Sequence, residues 1–323
     1  MQEMRRLIFA AILVACGVTA SARDVVITTW NMKWFPSGKA DLRISEEFES
    51  FKIRKAGGML ADAVKSVGLA AGDGVIIMAE ELRDEDVCSN LVAQCSIGGL
   101  RVAAVSRFKD KAGYPLWQQS AIFTNLKVVE GGYMPWQSEK HVDMPRGFAF
   151  AVLGEGNKLI ACFCVHLKAN VNFAGSDLET QKNIYKREYA SAQILEKFRE
   201  LRTRYGDDLS RVVVAGDFNT NDDDETFVSE ATLRSFYGAH FRSCFKGLRK
   251  NQRITHPASG GYPDCTFDYI LYRGFGRGLE RKIGIGQPIS DHNPVSIKLP
   301  SEENRTCGIF WEQTFPKGGV ILL

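Results

Sequence analysis

No long hydrophobic run, no internal repeat, no low-complexity tract and no Pro/Ser-rich linker occurs in this 323-residue chain. Repeat arrays, linker-joined modules and polytopic membrane proteins are therefore excluded. Charge of one sign is also lacking. Lys and Arg number 41 against 38 Asp and Glu, so net charge alone argues for no partner. No Cys/His spacing resembles a zinc-binding motif. What remains is ordinary globular composition, with 45% hydrophobic residues, enough for a substantial core.

The N-terminus reads as a targeting segment. Arg5 and Arg6 precede the apolar run Leu7 to Ala15, and Ala20-Ser21-Ala22 has the small-x-small form of a secretory cleavage site. Residues 1–22 are expected to be a signal peptide. Leu13-Val14-Ala15-Cys16 also has the form of a lipoprotein processing box, which would leave Cys16 lipidated; an uncleaved anchor is a third option. All three place the domain outside the cytoplasm, secreted, periplasmic or lipid-anchored, with membrane contact only through such an anchor. Loss of 1–22 leaves 39 basic and 37 acidic residues.

The remaining cysteines, Cys88, Cys95, Cys162, Cys164, Cys244, Cys265 and Cys307, are odd in number, so at least one is unpaired within the chain. Cys162 and Cys164 alternate inside a strand-like run and read as core residues. Cys244 with Cys265 is the preferred bridge.

Eight β-branched or aromatic runs bounded by Gly, Pro, Asn or Asp predict strands at 24–30, 74–80, 119–125, 147–154, 158–167, 211–216, 266–273 and 294–299. Helical spacing predicts a long helix within 176–206, capped by Ser176 with Glu179 three residues on, and a second over 45–68, weakened by Gly57-Gly58. One α/β domain over 23–300, with 301–323 as a tail, is the economical organisation.

Polar residues collect where these strands stop: Asn31, Glu80-Glu81, His166, Asp217 with Asn219, and Asp268, joined by Ser290-Asp291-His292 ahead of the last strand. Rigid strands followed by loops suit a functional site. Taken singly, each also describes something plain: a turn after Gly216, an Asx turn at Asn31, a core histidine at His166.

Six of these groups, Asn31, Glu81-Leu82-Arg83-Asp84, His166, Gly216-Asp217-Phe218-Asn219, Asp268-Tyr269-Ile270-Leu271 and Ser290-Asp291-His292, resemble in order the motifs of the endonuclease/exonuclease/phosphatase superfamily. Ala79-Glu80-Glu81-Leu82-Arg83-Asp84 and Cys265-Thr266-Phe267-Asp268-Tyr269-Ile270-Leu271 resemble the deoxyribonuclease I branch most closely. The resemblance implies a four-layer αββα sandwich of two packed, mostly antiparallel sheets with helices outside, and a site at one edge of the sheets.

Phosphodiester hydrolysis needs a cation against the phosphate, a base for water and a donor for the leaving oxygen. Asn31 and Glu81 are hard oxygen ligands suited to Mg²⁺, with Ca²⁺ or Mn²⁺ as alternatives and Asp291 as a further ligand. His292 is the expected general base, with Asp268 fixing its tautomer. By resemblance, His166 donates to the phosphate or leaving group, Asp217 orients the water and Asn219 holds a phosphate oxygen. Glu80 stands where the family usually has Gln; Glu81 is taken as the ligand because Leu82-Arg83-Asp84 sets the register.

Other stretches are less specific. Asn221 to Glu225 lacks the spacing of an EF-hand loop and reads as a solvated helix N-terminus. Lys246, Arg249, Lys250 and Arg253, followed by Thr255-His256-Pro257, read as a loop able to track a polyanion. Arg107 to Trp117 mixes cations with aromatics, which makes Arg107 a candidate substrate contact. The expected activity is Mg²⁺-dependent hydrolysis of nucleic acid, DNA before RNA, with no stable protein partner implied. A sphingomyelinase-like phosphodiesterase and a non-catalytic binding protein on the same fold are the alternatives.

Overall fold

The structure is a computed structural model that describes residues 23–300 apart from 41, 139–142, 171–174, 223, 260 and 261. The expected signal peptide, Cys16, His141, the 301–323 tail and Cys307 lie outside the described residues.

Two six-stranded sheets form the centre. The first contains β1 (Val25–Phe35), β2 (Gly74–Leu82), β3 (Arg101–Val105), β4 (Gln119–Thr124), β11 (Glu280–Ile283) and β12 (Val295–Leu299), in the order β11-β12-β1-β2-β4-β3. The second contains β5 (Lys127–Pro135), β6 (Gly147–Glu155), β7 (Lys158–His166), β8 (Leu209–Asp217), β9 (Arg242–Ser243) and β10 (Asp268–Arg273), in the order β5-β6-β7-β8-β10-β9. Pairing is antiparallel except for β1 with β2 and β7 with β8. Those two parallel steps need crossovers, supplied by α1 (Glu46–Lys65) and α3 (Asp177–Tyr205). The shorter α2 (Glu85–Gln94) and α4 (Thr232–Gly238) complete the helices among the described residues.

Strand alternation builds the layers. Val25 and Ile27 of β1 join Phe148, Phe163 and Val214 in the core between the sheets, while Val26, Trp30 and Met32 pack with Ile53 and Leu60 of α1 and Leu91 of α2. The arrangement is the expected αββα sandwich.

Both predicted helices form. Ser176 accepts from the Glu179 amide at 3.2 Å and Ser45 from the Phe48 amide at 3.3 Å. Helix α1 runs through Gly57-Gly58, and the reason is packing: a Cβ at Gly57 would sit 2.6 Å from Gln94 Cβ of α2. The glycine that weakens the helix in isolation is what lets α2 lie against it.

Three expectations need correction. Cys244 and Cys265 are both free thiols; Cys244 is buried, and Cys265 lies beyond it with Sγ directed to the Pro263 carbonyl. Arg253 is buried rather than solvent-facing, with Nη1 on Asn221 Oδ1 at 3.4 Å and 3.6 Å from Asp222 Oδ1. The run Asn221 to Glu225 accordingly starts inside the protein: Asn221 is buried, Asp222 accepts from Tyr237 Oη at 2.7 Å, and only a short 3-10 turn, Glu225–Phe227, follows.

Candidate active site

Strands β1, β2, β7, β8 and β10 deliver their last or first polar residues to one place. At the end of β8, Gly216 has φ 142°, and a Cβ there would stand 1.9 Å from the Val165 carbonyl oxygen of β7. Only glycine allows that approach, and it aligns His166 opposite Asp217 in the β7–β8 register and Asp217 opposite Asp268 in the β8–β10 register. The β-branched run Val212-Val213-Val214 fixes the backbone, so Asp217 emerges from a buried strand with its direction set.

At the end of β2 the adjacent carboxylates separate. Glu80 Oε1 accepts from Thr29 Oγ1 at 3.2 Å and from Cys164 Sγ at 3.2 Å, inside the core. Glu81 turns to the site: Oε1 accepts from Asn31 Nδ2 at 3.1 Å and Oε2 from the Trp34 amide at 3.0 Å. Simple alternation is not what divides them. Glu81 has φ 61°, and the ladder to β4 shifts between Ala79 and Leu82, so a bulge re-aims the side chain.

Around these, Asn31 Nδ2 also donates to Asp217 Oδ2 at 3.0 Å, and the Asn219 amide to Asp217 Oδ1 at 2.9 Å. His166 Nε2 lies 3.7 Å from Glu81 Oε1 and 3.8 Å from Asp217 Oδ2; His292 Nε2 lies 3.9 Å from that same Asp217 oxygen. The two imidazoles thus flank one carboxylate. His292 Nδ1 is 2.8 Å from Asp268 Oδ2 and 3.1 Å from Oδ1. The loop carrying His292 is tied to β1 by Trp30 Nε1 donating to the His292 carbonyl at 2.9 Å and Ser290 Oγ donating to the Asn31 carbonyl at 2.7 Å.

Electrostatics separate the two histidines. Burial, reinforced by Arg146, holds His166 well below the ordinary histidine pKa, so its ring is neutral. Burial also acts to lower His292, but Asp268, Asp217 and Asp291 outweigh it and raise the ring to about 10. Asp217 is pushed up to about 7, chiefly by burial and then by Asp268, against the pull of His292. Glu80, fully enclosed and near Asp268, is raised well above the carboxylate range.

The structure therefore brings together Asn31, Glu81, His166, Asp217, Asn219, Asp268 and His292. Asp291 is engaged differently from the expectation of a shared Mg²⁺ ligand: Lys33 Nζ holds its Oδ2 at 2.6 Å, and it groups with His256 and His292. Arg107 is not joined to the cluster; its exposed guanidinium donates to Glu85 Oε2 at 2.6 Å. Two residues at the site escaped the sequence reading. Arg146, with φ 69°, donates through Nη2 to the His166 and Leu167 carbonyls at 3.3 and 3.2 Å; Pro145-Arg146-Gly147 at the head of β6 was its signal. His256 packs edge-on to His292, with ring centroids 4.8 Å apart; it was read only as part of a basic loop.

A hard divalent cation fits this donor set. Glu81 and Asp217 are buried carboxylates converging on Asn31, and among the described residues neither has a lysine or arginine within ion-pair distance. Buried carboxylates without a balancing cation are the environment in which an oxygen-liganded ion is stabilised.

A two-sheet sandwich with this cluster at one edge defines a class, and the sequence comparison agrees. The model of the Endonuclease/Exonuclease/phosphatase family matches residues 98–292. The chain belongs to that family. A search of curated proteins found no sequence relative. Similar solved structures include TDP2 from C. elegans (14% identity, TM-score 0.56, 86% of this chain and 76% of that one). D. rerio TDP2 complexed with single-strand DNA product is also similar (15% identity, TM-score 0.55, covering 85% and 98%). So is sphingomyelinase C from Streptomyces griseocarneus (14% identity, TM-score 0.53, covering 85% and 99%). At these identities the likeness is one of fold.

Proposed function

We propose that the chain is an exported, Mg²⁺-dependent phosphodiesterase that cleaves nucleic acid, DNA before RNA, by a histidine-activated water. The observation that carries this reading is the placement of His292, locked on Asp268 through Nδ1, across Asp217 from His166. Nε2 of His292 is then the nitrogen free to take a proton from water, and Asp268 stabilises the imidazolium that forms. Asp217, held by the Asn219 amide and Asn31, has its orientation set before a substrate arrives. The neutral His166 ring acts as a hydrogen-bond donor to the phosphate or the leaving oxygen. Asn31 and Glu81 would hold the cation, which when bound supplies positive charge against the phosphate and favours the neutral, proton-accepting form of His292. Support for DNA comes from the DNA-bound relative and from the motif resemblance; support for export comes from the N-terminal sequence.

The test is nicking of supercoiled plasmid by the mature chain. Turnover should require Mg²⁺, stop in EDTA, and fall about 10²–10⁴-fold in both His292→Ala and His166→Ala. Cleavage of sphingomyelin with intact plasmid would overturn the substrate. No hydrolysis of either would point to a binding protein.

A further inference from the structure

His256 has no place in the hydrolytic arrangement, yet it faces it. A ring nitrogen of His256, a ring nitrogen of His292 and a carboxylate oxygen of Asp291 all lie within 4.8 Å of one another. His256 Nε2 is 4.0 Å from Asp291 Oδ2. We propose that His256, Asp291 and His292 form a binding site for a zinc-class divalent cation, distinct in chemistry from the oxygen-only Asn31–Glu81 site, and that filling it takes His292 out of the hydrolytic machinery.

Three features carry the inference. Two imidazoles and one carboxylate are the donor set preferred by Zn²⁺ and its neighbours, whereas Mg²⁺ prefers oxygen alone. Donors no more than 4.8 Å apart put a central ion at most about 2.8 Å from each, so shifts of about 0.7 Å bring the ligands to zinc bond lengths.

The second feature is the outer shell. Asp268 on His292 Nδ1 is a carboxylate–histidine arrangement of the kind that orients zinc ligands and leaves Nε2 for the metal. The third is that the fold does not consume the His256 ring. Its Nδ1 is buried without a hydrogen-bond partner, which a purely structural histidine would ordinarily have. Access is open as well, because the side chains of His256 and Asp291 are 18% and 27% exposed. Lys33 occupies Asp291 Oδ2 at 2.6 Å, but its side chain is 44% exposed and free to swing into solvent. Lys33 is thus a competitor for the ion, not a barrier.

Occupancy would place a cation on Nε2 of His292, the atom assigned to accept the proton of water. The effect on turnover rests on the function proposed above; the existence of the site does not. Co²⁺ is the probe, since its visible absorption reports nitrogen and oxygen ligation directly. The mature chain should bind one Co²⁺, displaced by Zn²⁺ and not by Mg²⁺. Glu81→Gln should leave this titration unchanged, His256→Ala should weaken it at least about tenfold, and Lys33→Ala should tighten it. The Zn²⁺ concentration that halves plasmid nicking should rise with His256→Ala by the same factor. If His256→Ala proves unfolded by circular dichroism, Asp291→Asn takes its place with the same expectation. A His256→Ala titration matching wild type, or one abolished by Glu81→Gln, overturns the proposal. Co²⁺ binding through His256 in a chain that hydrolyses no phosphodiester upholds the site and removes only its effect on turnover.

Discussion

Two sets of buried charge occupy this molecule, and they are balanced in opposite ways. Outside the site, Arg187 and Glu230 are each 1% exposed and meet in a double contact, Nε to Oε1 at 2.8 Å and Nη2 to Oε2 at 2.5 Å; Thr232 Oγ1 and the Lys168 carbonyl take up the remaining atoms. Arg211 and Glu155 form a second buried pair. At the site, Glu80, Glu81, Asp217 and Asp268 are all buried, and their near cationic neighbours among the described residues are imidazoles. The contrast separates charge that holds the fold from charge held ready for something absent from the chain.

Breaking the balanced set should have the largest effect. Arg187→Met leaves Glu230 buried with no counter-ion, at a cost of about 3–5 kcal/mol in denaturant unfolding. A loss under about 1 kcal/mol would mean that the pair is not buried in solution. Sharpening the contrast comes next. Because the site carries excess negative charge, Mg²⁺ at a hundredfold its Kd should stabilise wild type by about 2.7 kcal/mol. That gain should vanish in Glu81→Gln and persist in Arg187→Met. Equal stabilisation in Glu81→Gln would place the ion elsewhere.

The same contrast explains what was legible in the sequence. All eight predicted strands form, and the four that were missed, β3, β5, β9 and β11, are the four sheet edges. An interior strand such as β8 is buried along nearly its whole length and reads as an apolar run, whereas β5 alternates exposed and half-buried positions and carries Gly131-Gly132. The site showed a similar division. Asn31, Glu81, His166, Asp217, Asn219, Asp268 and His292 each sit at or beside an interior strand end or in a recognisable motif. His256 comes from a loop between β9 and β10 with no strand to announce it, and its approach to His292 depends on tertiary folding alone. Arg107 failed for the converse reason: a mixture of cations and aromatics describes a surface as readily as a subsite.

The smallest effect expected, at Glu80, tests the comparison most finely, because this carboxylate lies beside the site yet serves no ion. Its Oε1 has two donors, while Oε2 is buried without a partner. Glu80→Gln keeps the shape and the Oε1 contacts and removes the titration. Since burial raises the folded-state pKa above that of the unfolded chain, the group's contribution to stability is full below the ordinary carboxylate range and is lost as pH rises toward the folded value. Wild type should therefore lose stability from about pH 5 upward relative to Glu80→Gln, with the variant more stable by about 1 kcal/mol at pH 8. Both should be alike at pH 4, and denaturant midpoints across that range measure the difference. Parallel pH curves would mean that Glu80 is ionised in the folded protein and balanced by a cation, which would move it from the core into the site.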